Sequence, residues 1–392
     1  MCTFVTLGLP DGMIGTAWPV LRHSFGVPLA DLGLFLLVGT LGALASALVA
    51  GVLLSRAGYR LTLMLGATFG ALGAAGIALS PAFWAFVASG AAIGLAAGLF
   101  DSSVNTVIAL SGRNRVLNVL HGGYGVGTSI GPLMVTAALL ASSWRASYTA
   151  LVVIELAVLA GWSLLERRRK EPVPSPAEEH PPPRPPPAAT PPASRGRLVY
   201  LVGLGLVVFM VYVGLEAGAG QWGPSFDRGP LHLDAGATGL ATFGYWGALT
   251  LFRFALAVPK RPPPPAAIVR WGCVTALGAA GVVWWRPADI VALLALAVLG
   301  AALAGVFPAL VALTPARVGD EISHHVIGWQ IGAAGLGGSI ISAIFGLVFQ
   351  RYGLGEYGPA LFCVAVVLLA GVIALERAAP SRLAGLARSN AQ

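Results

Sequence analysis

Charge is what this sequence has least of. Only 10% of its 392 residues are Asp, Glu, Lys or Arg, and the acids number 16; a soluble domain carries about a quarter charged residues. With 56% hydrophobic residues and a mean hydropathy of +0.80, a water-soluble globular fold is excluded. Cysteine is nearly absent. Cys2, Cys273 and Cys363 lie in or beside apolar stretches without metal-ligand spacing, which leaves packing as their role and gives no disulfide framework or metal centre. No Gly-x-x-x-x-Gly-Lys loop occurs, so nucleotide hydrolysis is not the expected energy source and no cofactor is expected.

What is present is apolar sequence in lengths that suit a bilayer, about 20 residues each. Six stretches fall near 1–22, 31–54, 62–79, 83–108, 116–141 and 145–166, and six more near 198–223, 235–258, 268–285, 288–313, 324–350 and 357–376. Twelve helices would satisfy every backbone group internally, and their many Gly and Ala allow close packing in lipid. The fold class expected is therefore all-α integral membrane, with twelve transmembrane helices.

Basic residues set the orientation. All but Arg22, Arg145, Arg228, Arg253, Arg286 and Arg351 of the 24 Lys and Arg lie in the loops after even-numbered spans or in the C-terminal tail. Those loops and both termini are thus expected in the cytoplasm, with the chain multi-pass in the inner (plasma) membrane. The net charge of +8 is then topology, and nucleic acid is not an expected partner. The first residues already belong to the first span, so no cleavable signal peptide is expected. Between the sixth and seventh spans, 167–197 opens with Arg167-Arg-Arg-Lys170 and is proline-rich from Pro172 to Pro192. Such a stretch builds no core and reads as a tether, its basic start suited to anionic headgroups.

The two sets of six spans repeat one another. Leu159-Ala-Gly-Trp-Ser-Leu-Leu-Glu-Arg167 recurs as Leu369-Ala-Gly-Val-Ile-Ala-Leu-Glu-Arg377, and Gly125-Val-Gly-Thr-Ser-Ile130 as Gly335-Leu-Gly-Gly-Ser-Ile340. Ala97-Gly-Leu-Phe-Asp101 answers to Ala304-Gly-Val-Phe-Pro308, and Gly8-Leu9 with Gly12 to Gly214-Leu215 with Gly218. Four matches in one order indicate duplication: an N-terminal six-helix bundle at 1–166, the linker at 167–197, and a C-terminal bundle with a short tail at 198–392. Halves related in this way commonly enclose a binding site between them.

Chemistry is expected where an apolar span tolerates an ionisable residue. Asp11 falls in span 1, Asp101 in span 4, Glu155 in span 6, Glu216 in span 7 and Arg253 in span 8. A carboxyl group held in low dielectric takes up and releases protons near neutrality, which is what a proton-coupled carrier needs. Asp11 and Asp101, deep and flanked by small residues, are the expected proton sites. Glu216 either joins them or is neutralised by Arg253 as a structural ion pair. Glu155 has only aliphatic neighbours in sequence and reads as structural.

Polar and aromatic side chains fill out a site. Asp101 and Asn105 are four apart and share a helix face, and Asn118 and His121, three apart, share another. A neutral imidazole can donate to or accept from a ligand hydroxyl, or simply fill a packing role. Trp18, Trp222, Trp246 and Trp329 fall within spans, beside the amides Gln221 and Gln330. Indole next to amide suits the flat apolar face of a sugar, although tryptophan also collects at membrane interfaces.

These residues resemble a known family. Two halves of six spans, with Gly51-Val-Leu-Leu-Ser-Arg-Ala-Gly-Tyr-Arg60 between spans 2 and 3, look like the major facilitator superfamily and its cytoplasmic loop motif, with Ser55 where that motif carries an acid. An acid in span 1, the acid-x-x-x-Asn pattern of Asp101 and Asn105, and Leu117-Asn118-Val-Leu-His121 opening span 5 resemble the fucose/proton symporter branch. There His121 stands for a glutamine and Asp101 for a glutamate. The resemblance implies a proton-coupled importer of sugars in which Asp11, Asp101, Asn105 and Asn118 serve protonation and substrate contact.

The expectation is a secondary transporter, acting as a monomer in the lipid bilayer, that moves a sugar or polyol with protons by alternating access. A proton-driven exporter of amphipathic compounds with the same fold is the alternative. A membrane enzyme is not expected, because its polar residues would cluster near one membrane face and these acids sit mid-span.

Overall fold

The computed structural model describes residues 2–110, 114–165, 195–259 and 263–378. Every described element is helical: α1 Cys2–Phe25, α2 Leu32–Leu79, α3 Phe83–Leu110, α4 Asn114–Ala141, α5 Trp144–Leu165, α6 Arg195–Arg228, α7 Ala235–Ala257, α8 Pro265–Trp285, α9 Asp289–Leu303, α10 Val306–Val318, α11 Asp320–Tyr352 and α12 Tyr357–Ala378, with 3-10 turns at Leu29–Asp31 and Leu354–Glu356. The expected linker lies outside the described residues up to 194, and its last three residues open α6. Ten helical segments of the described chain are long and apolar enough to cross a membrane. Their outward faces are apolar, with Leu48 84% and Leu79 79% exposed, as lipid contact requires rather than water. The fold is all-α and multi-pass.

Two boundaries are set by single residues. Spans 2 and 3 are the two helical legs of α2, as expected, and they meet in a turn at one glycine. Gly58 takes φ 79° and ψ 166°, a left-handed conformation that glycine adopts without steric cost, and separates legs 32–57 and 59–79. Arg60, just past the turn, donates from Nη2 to the Ser163 carbonyl of α5 at 3.2 Å, tying this turn to the end of that helix. The expected span 288–313 is broken in the middle into α9 and α10. Pro308 has no N–H to give the carbonyl of Ala304 four residues earlier, and the ladder stops there.

Small residues decide which helices touch. Gly8 and Gly12 of α1 lie directly on the backbone of Tyr124 and Thr128 of α4, while Gly127 and Gly131 return the contact against Val5 and Leu9. The same two repeated motifs meet again in the second half, where Gly214 and Gly218 of α6 face Ile341 and Phe345 of α11, and Gly337 lies on Met210. Helices α1 to α5 pack on one another, as do α6 to α12, and the two groups meet through α1 with α6, α2 with α11 and α4 with α7.

The α2–α11 contact is uneven along its length. At one end a methyl built on Gly33 would lie 2.6 Å from the Cβ of Ala343, and one on Gly346 would lie 3.0 Å from the Cα of Ala30. Ala30 N donates to Gln350 Oε1 at 3.0 Å, and Trp222 Nε1 donates to the Ser342 carbonyl at 3.0 Å. Toward the other end the nearest atoms of α2 to a methyl on Gly335 or Gly332 stand 4.0 Å away, and none comes within 4 Å at Gly328. Helices α2 and α11 are closed at the Gly33 end and part toward Gly328, while α4 and α7 stay in contact beside them, Gly122 lying against the Phe254 ring and Gly125 against Thr250.

This closure predicts the effect of a wedge. Gly33→Leu overpacks the contact at a cost of about 1–3 kcal/mol, enough to shift an open–closed equilibrium about fivefold or more. In a background with the three cysteines replaced by serine, Ser342→Cys, fully buried at the closed end, should resist a membrane-impermeant thiol reagent. Adding Gly33→Leu should make it react. A cysteine that labels equally with and without the wedge would show that this end is not held by the Gly33 contact.

Candidate functional site

The site begins where α1 and α4 cross. Glycines at that crossing bring the backbones together, so the Tyr124 hydroxyl of α4 reaches across and donates to Asp11 Oδ2 at 2.7 Å. Pro10 precedes Asp11 inside α1 and withholds one backbone donor from the helix. Asp11 is thus an acid in an apolar helix whose partner is a phenol rather than a cation.

A second acid lies in the other group. Glu216 of α6 is four residues from Tyr212, one turn along the same face, and the two side chains are hydrogen-bonded. Arg253 of α7 places Nη2 3.7 Å from Glu216 Oε2, and the two side chains retain 18% and 14% of their exposure. Arg253 Nε donates to the Ala304 carbonyl at 3.1 Å, Tyr212 Oη lies 3.0 Å from the Leu303 carbonyl, and Tyr245 Oη donates to the Glu216 carbonyl at 2.7 Å. Two of these carbonyls belong to the break between α9 and α10, so side chains of α6 and α7 satisfy backbone groups that the helix ladder leaves open. Across the interface, Tyr124 is near enough to Glu216 and Arg253 to feel their charges. Asp11, Tyr124, Glu216, Arg253 and Tyr212 form one polar cluster between α1 and α4 on one side and α6, α7 and the α9–α10 break on the other.

The remaining candidates are distributed around it. Asn105 Nδ2 donates to Asp101 Oδ1 at 2.9 Å on α3, and Asn105 Oδ1 is buried without a hydrogen-bond partner among the described residues. Asn118 and His121 lie in the opening turns of α4, and their side chains are outside the described residues. Gln221 is buried on α6, its Oε1 accepting from Ser342 Oγ at 2.7 Å, which seats it in the closed end. Gln330 is buried on α11, its Oε1 accepting from Thr314 Oγ1 at 3.0 Å. Trp246 is buried against Gly220, its indole N–H without a hydrogen-bond partner among the described residues, whereas Trp329 is 60% exposed. Trp18 is fully buried and donates to the Leu29 carbonyl at 3.1 Å, a packing anchor like Trp222. Glu155, whose sequence neighbours are aliphatic, sits with its carboxyl against Gly70 of α2 and near Thr6 of α1, and its Oε2 has no hydrogen-bond partner among the described residues.

Sequence reasoning passed over the tyrosines. Tyr212 and Glu216 at four-residue spacing carried a readable signal. Tyr124 and Tyr245 did not, since their partners are more than 25 residues away. Among the described residues no group of three or more His, Cys, Asp or Glu is placed to hold a metal ion.

Similarity to other proteins was found at the level of family and fold. The chain is similar to a D-xylose–proton symporter (TM-score 0.65, 15% identity, 94% of this chain and 95% of that one). It is also similar to the nucleoside transporter NupG (TM-score 0.72, 13% identity, 95% and 98%). A human organic anion transporter, TETRAN, gives a TM-score of 0.62 at 16% identity over 95% and 98% of the two chains. No curated protein sequence matches it. The sequence pattern of the Major Facilitator Superfamily, however, matches residues 1–342. The chain belongs to the Major Facilitator Superfamily, and with it to the membrane carriers rather than the enzymes.

Proposed function

We propose that this protein couples the inward movement of a small polar solute, a sugar or polyol, to protons by alternating access. The observation that carries the reading is the polar cluster itself. Each repeat contributes an acid bonded to a tyrosine, Asp11 with Tyr124 and Glu216 with Tyr212, and Tyr124 links the two groups of helices, being near enough to Glu216 to feel its charge. Ionisable residues in this position mark substrate and proton paths in membrane carriers. The choice of sugar or polyol draws support from the likeness to the D-xylose–proton symporter fold and from the Asp101, Asn105 and Asn118 pattern.

In this reading twelve transmembrane helices form two pseudo-symmetric six-helix bundles, 1–166 and 198–392, joined by a cytoplasmic linker at 167–197. The legs of α2 supply two of the twelve, and α9 with α10 supplies one. The basic loops put both termini in the cytoplasm at the inner membrane. The Gly33 end is then periplasmic, and the molecule faces inward as a monomer.

Asp11, Asp101 and Glu216 are the proton-coupling residues, with Asn105, Asn118, His121, Gln221, Gln330, Trp246 and Trp329 offered to the solute. Ionised Asp11 accepts from Tyr124; a proton on Asp11 makes the carboxyl a donor and frees the phenol for a solute hydroxyl. Proton and solute affinities are then linked, each changing the other by the same factor.

Asp11→Asn keeps the shape of the protonated acid and cannot titrate. In proteoliposomes it should lose uphill uptake driven by an inward pH gradient, falling to the level of empty vesicles, yet retain exchange of labelled for unlabelled solute. Loss of both activities together would make Asp11 a folding or binding residue. Gradient-driven extrusion of a lipophilic cation, with no uptake of any sugar or polyol, would replace symport by the exporter reading.

The Glu216 and Arg253 pair makes a separate prediction. Glu216→Leu or Arg253→Leu alone strands one partner in an apolar setting, whereas the double change strands none. Each single variant should melt several degrees below wild type and the double variant above either one. Additive losses in the double variant would show that the two side chains are not coupled.

A further inference from the structure

Tyr212 stands between two acceptors that it cannot serve at once. Its hydroxyl is bonded to Glu216 and lies 3.0 Å from the Leu303 carbonyl, and a phenol has one proton to give. Both contacts are hydrogen bonds only when Glu216 itself carries a proton: the acid donates to Tyr212 Oη, and Tyr212 donates to Leu303. With Glu216 ionised, the phenol proton turns to the carboxylate, the stronger acceptor. The Leu303 carbonyl, on a fully buried residue, then loses its donor.

Arg253 repeats the choice one residue further along. Its Nε donates to the Ala304 carbonyl at 3.1 Å, while its Nη2 stops 3.7 Å from Glu216, beyond hydrogen-bond range. A neutral Glu216 leaves the guanidinium on Ala304; an ionised one draws it away. Both carbonyls lie at the break between α9 and α10, where Pro308 supplies no N–H. Phe307 begins α10 and packs on the Tyr212 ring at 6.1 Å and on Phe209 at 5.3 Å, so the break and this face of α6 are in direct contact.

We infer that Tyr212 and Arg253 are positioning residues that form a clamp on the α9–α10 break, closed when Glu216 holds a proton and released when it does not. The proton is thereby converted into movement of α10 relative to α9. This inference rests on the proposed role of Glu216 as a proton site. The titratable and charged groups around Glu216 are Tyr212 on its own helix, Arg253 and Tyr245 on α7, and Tyr124 of α4 with Asp11 of α1 behind it; Cys273 of α8 is near Tyr212. The stretches 290–316 and 326–350 contain no charged or titratable side chain, so α9, α10 and α11 add none at this level.

Hydrogen–deuterium exchange of the backbone amides between 303 and 309, in the full chain in lipid nanodiscs, reads the clamp directly. Rates are taken over the pH range in which the protein stays folded and divided by the intrinsic chemical rate, with 365–375 of α12, which carries no titratable side chain, as the internal control. Wild type should show a step, exchange in this segment rising about tenfold as Glu216 loses its proton, the factor set by about one net hydrogen bond. Glu216→Gln, whose amide donates to Tyr212 as the neutral acid would, should be slow at every pH. Tyr212→Phe should be fast at every pH while the ring packing against Phe307 remains.

The outcomes separate the two ideas. A step that persists in Glu216→Gln removes Glu216 as the proton site and the clamp with it. A step abolished by Glu216→Gln but unchanged in Tyr212→Phe keeps the proton site and overturns the relay. If Tyr212→Phe does not accumulate as folded protein, Arg253→Lys puts the same question from the other arm. Its charge remains and its Nε donor is gone, so the step must shrink; an undiminished step overturns the clamp.

Discussion

The constraint on which this structure turns is that a polar group placed among apolar helices must find its partner inside the protein. Glu216 shows how far that reaches. Its carboxyl engages a phenol and a guanidinium, and those two side chains are also the ones that satisfy Leu303 and Ala304 at a helix break. The single phenol proton therefore has two acceptors, a carboxyl and a backbone carbonyl, and serves one at a time. A system of that kind has alternatives, and a carrier needs alternatives.

The second requirement is close approach. The α1–α4 and α6–α11 crossings bring backbone near to backbone because the same glycine motifs recur in both halves, and those crossings carry Tyr124 to Asp11. The equivalence is not complete, and the difference is informative. The repeat sets Asp101 of α3 against Pro308 of α10: where one half has an acid bonded to Asn105, the other has a helix break held by Tyr212 and Arg253. Duplication supplied the frame, and divergence at that one place gave the halves different polar equipment.

Much of the frame was legible in the sequence, since membrane helices announce themselves by length and hydropathy and the repeat paired them. The joins were less legible. Hydropathy falls at Arg56 and Arg60 and separates the two legs of α2 correctly, but it does not single out Gly58 as the residue that turns. The broken α9–α10 reads as one, because Gly305 and Pro308 lie in an unbroken apolar run. At the site, local spacing revealed Asp101 with Asn105, and adjacent spans suggested Glu216 with Arg253. It could not reveal Tyr124 on Asp11, 113 residues away, nor Thr6 beside Glu155. Gln221 looked like a ligand amide in sequence, and only the packing of α6 on α11 joins it to Ser342.

The proposed function rests on coupling, in which the two acids would make solute movement and proton movement one process. Flux reversal in proteoliposomes tests this most directly, with fixed opposing gradients of proton and of the solute identified by uptake screening. The account predicts that the solute ratio at which net flux is zero shifts steadily as the pH difference is varied. A reversal point that stays at equal solute concentrations, whatever the pH difference, would mean the solute moves without protons and would contradict it.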